Sequence, residues 1–442
     1  MGAGRAKAAA AGLTGAGLPP GRLGRVRPGS ARDIFWYGVS RRAAWMAPAA
    51  GTLAEAALRV AVDNCMEQGK THYRKRRYED ALAAYEGAQR IRRVVPALGD
   101  DFKPLDLAVA DDCMGVAYLK VNRHDEALAA LKESLRVRRA AQGNDHLDVA
   151  WTLKNIGDVY LKQEQYDKAR AEYEEALRIR RAALGDDHPD VAGALECIGL
   201  VYRYQGRCDE ALAVYEEALR IRRAAQGDDH DDVAQTIFFI GHVHWKMQGE
   251  RKKDALLAFE KALHISRGAL GDDHLSVAVR RNSVGIVCVG LHRYEEAMAE
   301  HEEALRIKRA VLGDDHRDVA RTMRYMYDVH CCENRWDEAL AAKKEELRIE
   351  RAALGDDHLD VAGILMDVGR LYALRLEGYD EALAAYEEAL SIRRAALGDD
   401  HLDVAEALDS MGGVYKHLER DAEALAVHDE VARIRRVARA AE

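Results

Sequence analysis

The sequence predicts an all-α solenoid of antiparallel helix pairs, and three observations predict it. A four-residue marker, GDDH (once GNDH), recurs with its glycine at Gly143, Gly185, Gly227, Gly271, Gly313, Gly355 and Gly398, and a worn copy, GDDF, stands at Gly99. The spacing is 42 residues, with two extra before Gly271, one extra before Gly398, and 44 from Gly99 to Gly143. Each interval holds two stretches with apolar residues at helical spacing, and a fixed period of this length marks stacked units that cannot bury their apolar faces alone. The composition agrees: 48% of residues are hydrophobic, proline is scarce after residue 50, and Ala, Glu, Arg and Leu dominate.

Residues 1–52 differ in kind. They are rich in Gly, Ala and Arg, include Pro19, Pro20, Pro28 and Pro48, and carry one acidic residue, Asp33. Such a stretch cannot bury enough apolar surface to order itself and is expected to be a disordered basic tail. Its acid-poor, Arg-rich composition also leaves organelle targeting open. IFWYGV is too short for a secretory apolar region, and Ala6 stands where a myristoylation signal wants Ser or Thr.

From Leu53 to Glu442 the pattern gives about nine helix pairs. In the third, Val149, Leu153, Ile156, Gly157 and Tyr160 share one helical face, as do Tyr166, Ala169, Tyr173, Ala176, Leu177 and Ala183. Glu174 and Glu175 precede Arg178 by four and three residues, so the other face is solvated and carries weak ion pairs. Between pairs the marker reads as punctuation. Gly185 suits a positive-φ helix end, and Arg180 and Arg181 suit its negative dipole. Asp187 fits an N-cap, with Asp190 in the capping-box place and Pro189 in the first turn. The seventh pair departs from its neighbours. Tyr327 replaces the small glycine, Lys343 the outer aromatic and Glu346 the last small alanine, so overpacking and a flexible point are expected there.

Gly199, Tyr202, Ala211, Tyr215 and Ala218 fall at the spacing of the tetratricopeptide repeat, as do Gly157, Tyr160, Ala169, Tyr173 and Ala176, and again Gly369, Tyr372, Ala382, Tyr386 and Ala389. Against the ordinary 34-residue repeat, the 42-residue period and the linker ALRIRRAALGDDHPDVA resemble the kinesin light chain type, over about 390 residues. The resemblance implies a right-handed superhelix with first helices lining a concave face and second helices outside. It also implies cargo peptides with an acidic stretch. It does not extend to the heptad coiled coil that holds the kinesin heavy chain, because nothing before Leu53 has that pattern.

Other function classes find little support. A net charge of −9 and a pI near 6.1 give no general basic field for nucleic acid. No apolar run reaches membrane-spanning length. Seven cysteines without framework spacing suit a reducing, cytoplasmic compartment. Gly69-Lys70-Thr71 ends like a phosphate-binding loop, but Asn64 stands where the first glycine belongs, and the stretch reads as a helix. Marker histidines lie a helix pair apart, whereas zinc ligands meet about 2 Å from one ion. His330-Cys331-Cys332 lacks a second ligand pair. No metal, no cofactor and no catalytic constellation are expected.

Second helices are near copies (DEALAAL, DKARAEY, DEALAVY, DEALAAY), whereas first helices differ, as they would if the pairs diverged where they meet a ligand or simply drifted. The expected peptide-binding residues are Lys154, Asn155, Arg203, Tyr204, Phe238, Phe239, His242, Trp245, Arg321 and Arg324. Lys154, Lys162, Arg203, Lys246, Arg321 and Arg324 against Asp158, Glu196 and Asp328 make the predicted groove basic, suited to an extended acidic segment with one aromatic or aliphatic anchor. The rival expectation is a self-assembling array whose groove is filled by its own tail or by another copy.

Overall fold

A computed structural model of the chain describes residues 51–75, 77–94, 104–247, 249 and 251–441. The expectations for residues 1–50 and for the worn marker at Gly99 lie outside them. Among the described residues there is no strand; the regular elements are helices in nine pairs. These are α1 (Gly51–Arg74) with α2 (Tyr78–Val94), α3 (Pro104–Lys120) with α4 (His124–Gln142), and α5 (Leu147–Lys162) with α6 (Tyr166–Leu184). Next come α7 (Pro189–Tyr204) with α8 (Cys208–Gln226), α9 (Asp231–Met247) with α10 (Arg251–Leu270), and α11 (Leu275–Gly290) with α12 (Tyr294–Leu312). The last are α13 (Arg317–Cys332) with α14 (Trp336–Leu354), α15 (Leu359–Leu371) with α16 (Tyr379–Leu397), and α17 (Leu402–His417) with α18 (Asp421–Ala441). The extra residue of the eighth pair is absorbed by a π-helical turn, Tyr372–Leu376, at the end of α15.

The chain divides into two compact parts, Met1–Asp186 and Asp187–Glu442. Within each, helices touch their chain neighbours and little else, so each part is an all-α solenoid with a one-dimensional core.

Within most pairs, the glycine of the first helix meets the ring of the second, and in the second pair Gly115 meets Leu131 instead. A Cβ on Gly157 would lie 2.5 Å from Tyr173, one on Gly199 2.7 Å from Tyr215, and one on Gly369 2.5 Å from Tyr386. Phe259 against Gly241 and His301 against Gly285 hold the same place. Small residues beside the rings complete the contact, with Ala169, Ala176, Ala211 and Ala218 all buried. Gly69 likewise sits against Tyr85, within α1.

Each letter of the marker has a separate task. Gly185 closes α6 at φ 86°, ψ 161°, a region essentially reserved to glycine. The first aspartate meets the arginine of the turn just ended, as in Arg181–Asp186 at 3.3 Å and Arg223–Asp228 at 2.9 Å. The second aspartate is not the N-cap the sequence suggested. The helix begins one residue later, so the cap is His188, in extended conformation, whose Nδ1 accepts the backbone N–H of Asp190 at 3.1 Å. His146, His230, His274, His316, His358 and His401 cap their helices in the same way. The displaced aspartate instead holds an arginine of the second helix of its own pair. Asp145–Arg178, Asp273–Arg306 and Asp315–Arg348 are at 2.6 Å and Asp187–Arg220 at 3.0 Å. The fifth and eighth pairs, with extra residues between their helices, have His264 and Ser391 in the arginine's place.

The seventh pair is not overpacked. Its ring comes from the first helix, and the Lys343 ammonium lies 4.1 Å above the Tyr327 ring. Lys343 is 1% exposed and pairs with Glu346 at 2.9 Å, so a cation on a ring replaces a ring on a glycine and α13 stays against α14.

His358→Ala should cost about 1 kcal/mol by removing one cap, and His358→Asn should restore most of it, read from urea unfolding. His301 gives a pH dependence. Burial foremost, then Lys308, pushes its imidazole down to about 4. Its Nδ1 lies 2.9 Å from Asn282 Oδ1, and Nε2 has no hydrogen-bond partner among the described residues. The ring is therefore neutral when folded and binds protons more readily when unfolded. The stability it contributes is complete above about pH 6.5 and is lost as pH falls toward 4, on the order of 2 kcal/mol between pH 7 and 5. His301→Phe should flatten that slope in urea titrations.

Candidate functional site

In the N-terminal part, α5 turns Trp151 outward, 42% exposed. Lys154 is paired with Asp158 at 2.6 Å, and Asp158 also accepts the Tyr173 hydroxyl at 2.7 Å. Asn155 is buried and donates its amide to the Trp151 carbonyl at 3.0 Å. The exposed ring and the lysine ammonium share this face; the asparagine is committed to its own helix.

In the C-terminal part, Tyr204 at the end of α7 is exposed, and the half-buried Arg203 guanidinium lies 4.8 Å above its ring. Lys246 is exposed, and its ammonium donates to the carbonyls of Arg203 and Tyr204 at 2.6 and 3.3 Å, closing the α7 C-terminus. Glu196 is likewise internal, held by Arg222 and Thr236.

The aromatic residues of α9 are mostly taken up by their own chain. Phe238 is buried, with its ring 5.2 Å from Phe259 and 4.5 Å from His242. Phe239 stacks on Tyr215 at 5.5 Å, and the Trp245 ring fills the space where a Cβ on Gly290 would come within 2.6 Å. Burial, and secondarily Arg203, pushes His242 down to about 4. These rings join the fourth, fifth and sixth pairs, a role that helical spacing alone does not separate from groove lining.

Arg321 and Arg324 are brought together at a cleft of about 650 Å³ between α13 and α15, floored by α14. Arg321 is exposed and tied to Asp318 at 2.7 Å. Arg324 is exposed and makes no ion pair within 4 Å among the described residues. Beside them Arg317 crosses the cleft, meeting Glu350 at 2.8 Å and Asp360 at 3.1 Å. At the floor Lys343 reaches Asp367 at 3.3 Å as well as Glu346. Burial raises the Glu346 carboxyl above its ordinary range, against the pull of Lys343. On the far wall Gly363 carries no side chain, and a Cβ there would meet nothing within 4 Å, which leaves the cleft open.

Arg317, Lys343, Glu350, Asp360 and Asp367 were not among the residues expected from sequence. The odd residues at the Lys343 and Glu346 positions were visible there, and they mark the floor. By count the cleft is mixed rather than basic: Arg317, Arg321, Arg324 and Lys343 face Asp318, Glu346, Glu350, Asp360 and Asp367. What remains for a visitor is set by which charges are already paired, and Arg324 stands out.

No group of three or more His, Cys, Asp or Glu among the described residues is placed to hold a metal ion, and no described helix is long and apolar enough to cross a membrane. His330 is buried and Cys332 exposed, on different faces of α13.

The family profile described as tetratricopeptide repeat matches residues 106–182, 155–196, 190–267, 253–310, 318–392 and 364–436. No curated protein matches the chain in sequence. Among solved structures, BtubC (BKLC) from P. vanneervenii is 22% identical, covering 52% of this chain and 92% of that one, with a TM-score of 0.46. A Rap protein complexed with competence and sporulation factor is 15% identical over 86% of this chain and 98% of that one, TM-score 0.47. Aspartyl phosphate phosphatase F from Bacillus subtilis is 14% identical over 85% and 94%, TM-score 0.47.

Proposed function

The chain belongs to the tetratricopeptide repeat family, and from that premise we propose that it is a protein-interaction scaffold, holding an extended acidic segment of a partner against its first helices. The observation that carries this reading is the cleft between α13 and α15, where Arg324 is exposed and lacks an ion pair among the described residues. Arg321 is tied only by an exposed pair within its own helix, which a ligand carboxylate can displace at small cost. A guanidinium at a cleft wall offers a carboxylate two parallel hydrogen bonds. In the same part of the chain the exposed ring of Tyr204 supplies an apolar face on another first helix. A cytoplasmic setting fits cysteines without framework spacing.

Peptides selected from a random library against the full chain should be enriched in Asp and Glu. Arg321→Glu with Arg324→Glu should weaken the best of them about tenfold or more at low salt and flatten the salt dependence, read by fluorescence anisotropy. Unchanged affinity for every selected peptide would overturn the acidic-ligand reading. Light scattering on the chain with and without residues 1–52 distinguishes the rival: tail-dependent self-association without peptide binding would favour a self-assembling array.

A further inference from the structure

The seventh pair holds the two ends of an ion pair that stays unmade. In the second pair Asp112 and Arg138, 26 residues apart and both buried, tie α3 to α4 at 2.6 Å. In the fourth pair Glu196 and Arg222, again 26 residues apart, tie α7 to α8 at 3.3 Å. The same two places in the seventh pair hold Arg324 and Glu350, with the same separation and the signs exchanged. Both line the cleft between α13 and α15, yet they do not pair within 4 Å.

Another cation has taken Glu350. Arg317 donates to it from Nε at 2.8 Å, and a second nitrogen of the same guanidinium donates to Asp360 at 3.1 Å. The Glu350 side chain is largely buried, whereas that of Arg317 is half exposed. Arg317 directly follows a marker histidine, a place that the other pairs fill with Leu147, Pro189, Asp231, Leu275, Leu359 and Leu402. No other marker histidine is followed by a cation.

Among the described residues nothing else binds Arg324. Thr152 and Thr236, which donate to Asp112 and Glu196 from the following pair, have the buried Ile364 as their counterpart beside Arg324. Asp328 and Glu346 feel the charge of Arg324 without an ion pair to it within 4 Å, and Glu346 is held by Lys343 at 2.9 Å. Arg324 therefore stands exposed at a place whose occupants elsewhere include the buried Asp112, Phe238, Asn282 and Met366.

We propose that Arg317 is the positioning residue of this site: it occupies Glu350, and by doing so keeps Arg324 open to the carboxylate of a ligand. Arg317 and Arg324 compete for one acid. The second tie of Arg317, to Asp360, decides the competition, since a planar guanidinium that donates to two carboxylates at once is held better than one that meets a single acid. The consequence for binding rests on the proposed acidic ligand, whereas the competition itself involves the chain's own side chains alone.

Arginine-selective labelling with phenylglyoxal, read by mass spectrometry on the full chain, follows the competition without a ligand. Arg324 should react readily in the unaltered chain, about fivefold more slowly in Arg317→Leu, and readily again when Glu350→Gln is added to that variant. For the best acidic peptide, fluorescence anisotropy at low salt should show Arg317→Leu weakened about tenfold and the variant with Glu350→Gln restored to within about twofold. Arg317→Leu with Asp360→Asn has the same net charge as that restored variant but leaves Glu350 free, and it should stay weak. Labelling of Arg324 that ignores Arg317→Leu would overturn the inference. So would equal rescue by Asp360→Asn, which would make the effect one of net charge, or no rescue by Glu350→Gln, which would make Arg317 a ligand contact. The expected labelling with no acidic peptide bound by any variant would uphold the competition and sink the acidic-ligand reading instead.

Discussion

The contact between a glycine on one helix and a ring on the next is what the rest of this structure depends on. It sets how closely the two helices of a pair approach, and so which of their remaining positions face inward. With Tyr173, Tyr215, Phe259 and Tyr386 seated on Gly157, Gly199, Gly241 and Gly369, each pair becomes a slab whose outer residues are left to meet the next slab. Overpacking at such a point is costly, and the seventh pair avoids it by moving the ring to the first helix and setting a lysine above it.

The marker does for the chain path what the glycine does for the helix pair. One residue ends a helix in a conformation that suits only glycine, the next ties back to that helix, the third ties forward to the second helix of the coming pair, and the histidine caps the helix that follows. Its ion pairs are exposed and individually weak. Their repetition fixes direction more than it adds stability. A histidine serves as cap because its Nδ1, with the backbone extended, reaches the N–H two residues on.

Some polar residues lie inside the array and join pairs, and others stay at its surface. Asp112, Glu196, Arg222 and Lys308 belong to the first kind, and Arg324 to the second. Basic count alone does not tell the two apart, since Lys246 is spent on a helix C-terminus and Arg317 on two carboxylates.

The sequence by itself determined the all-α architecture, the 42-residue period, the two helices of each pair and the glycines that join them, because these follow from spacing and local backbone preference. Only the tertiary structure decided that Phe238 turns into the core while Tyr204 and Trp151 stay exposed, because a small rotation of a helix against its neighbour moves a ring between core and surface. It alone decided that His188 and not Asp187 caps α7, since one residue of extended backbone shifts the cap. It also decided that Arg324 stands without an ion pair among the described residues while Lys154 has one, because a charge's availability depends on where every other charge comes to rest.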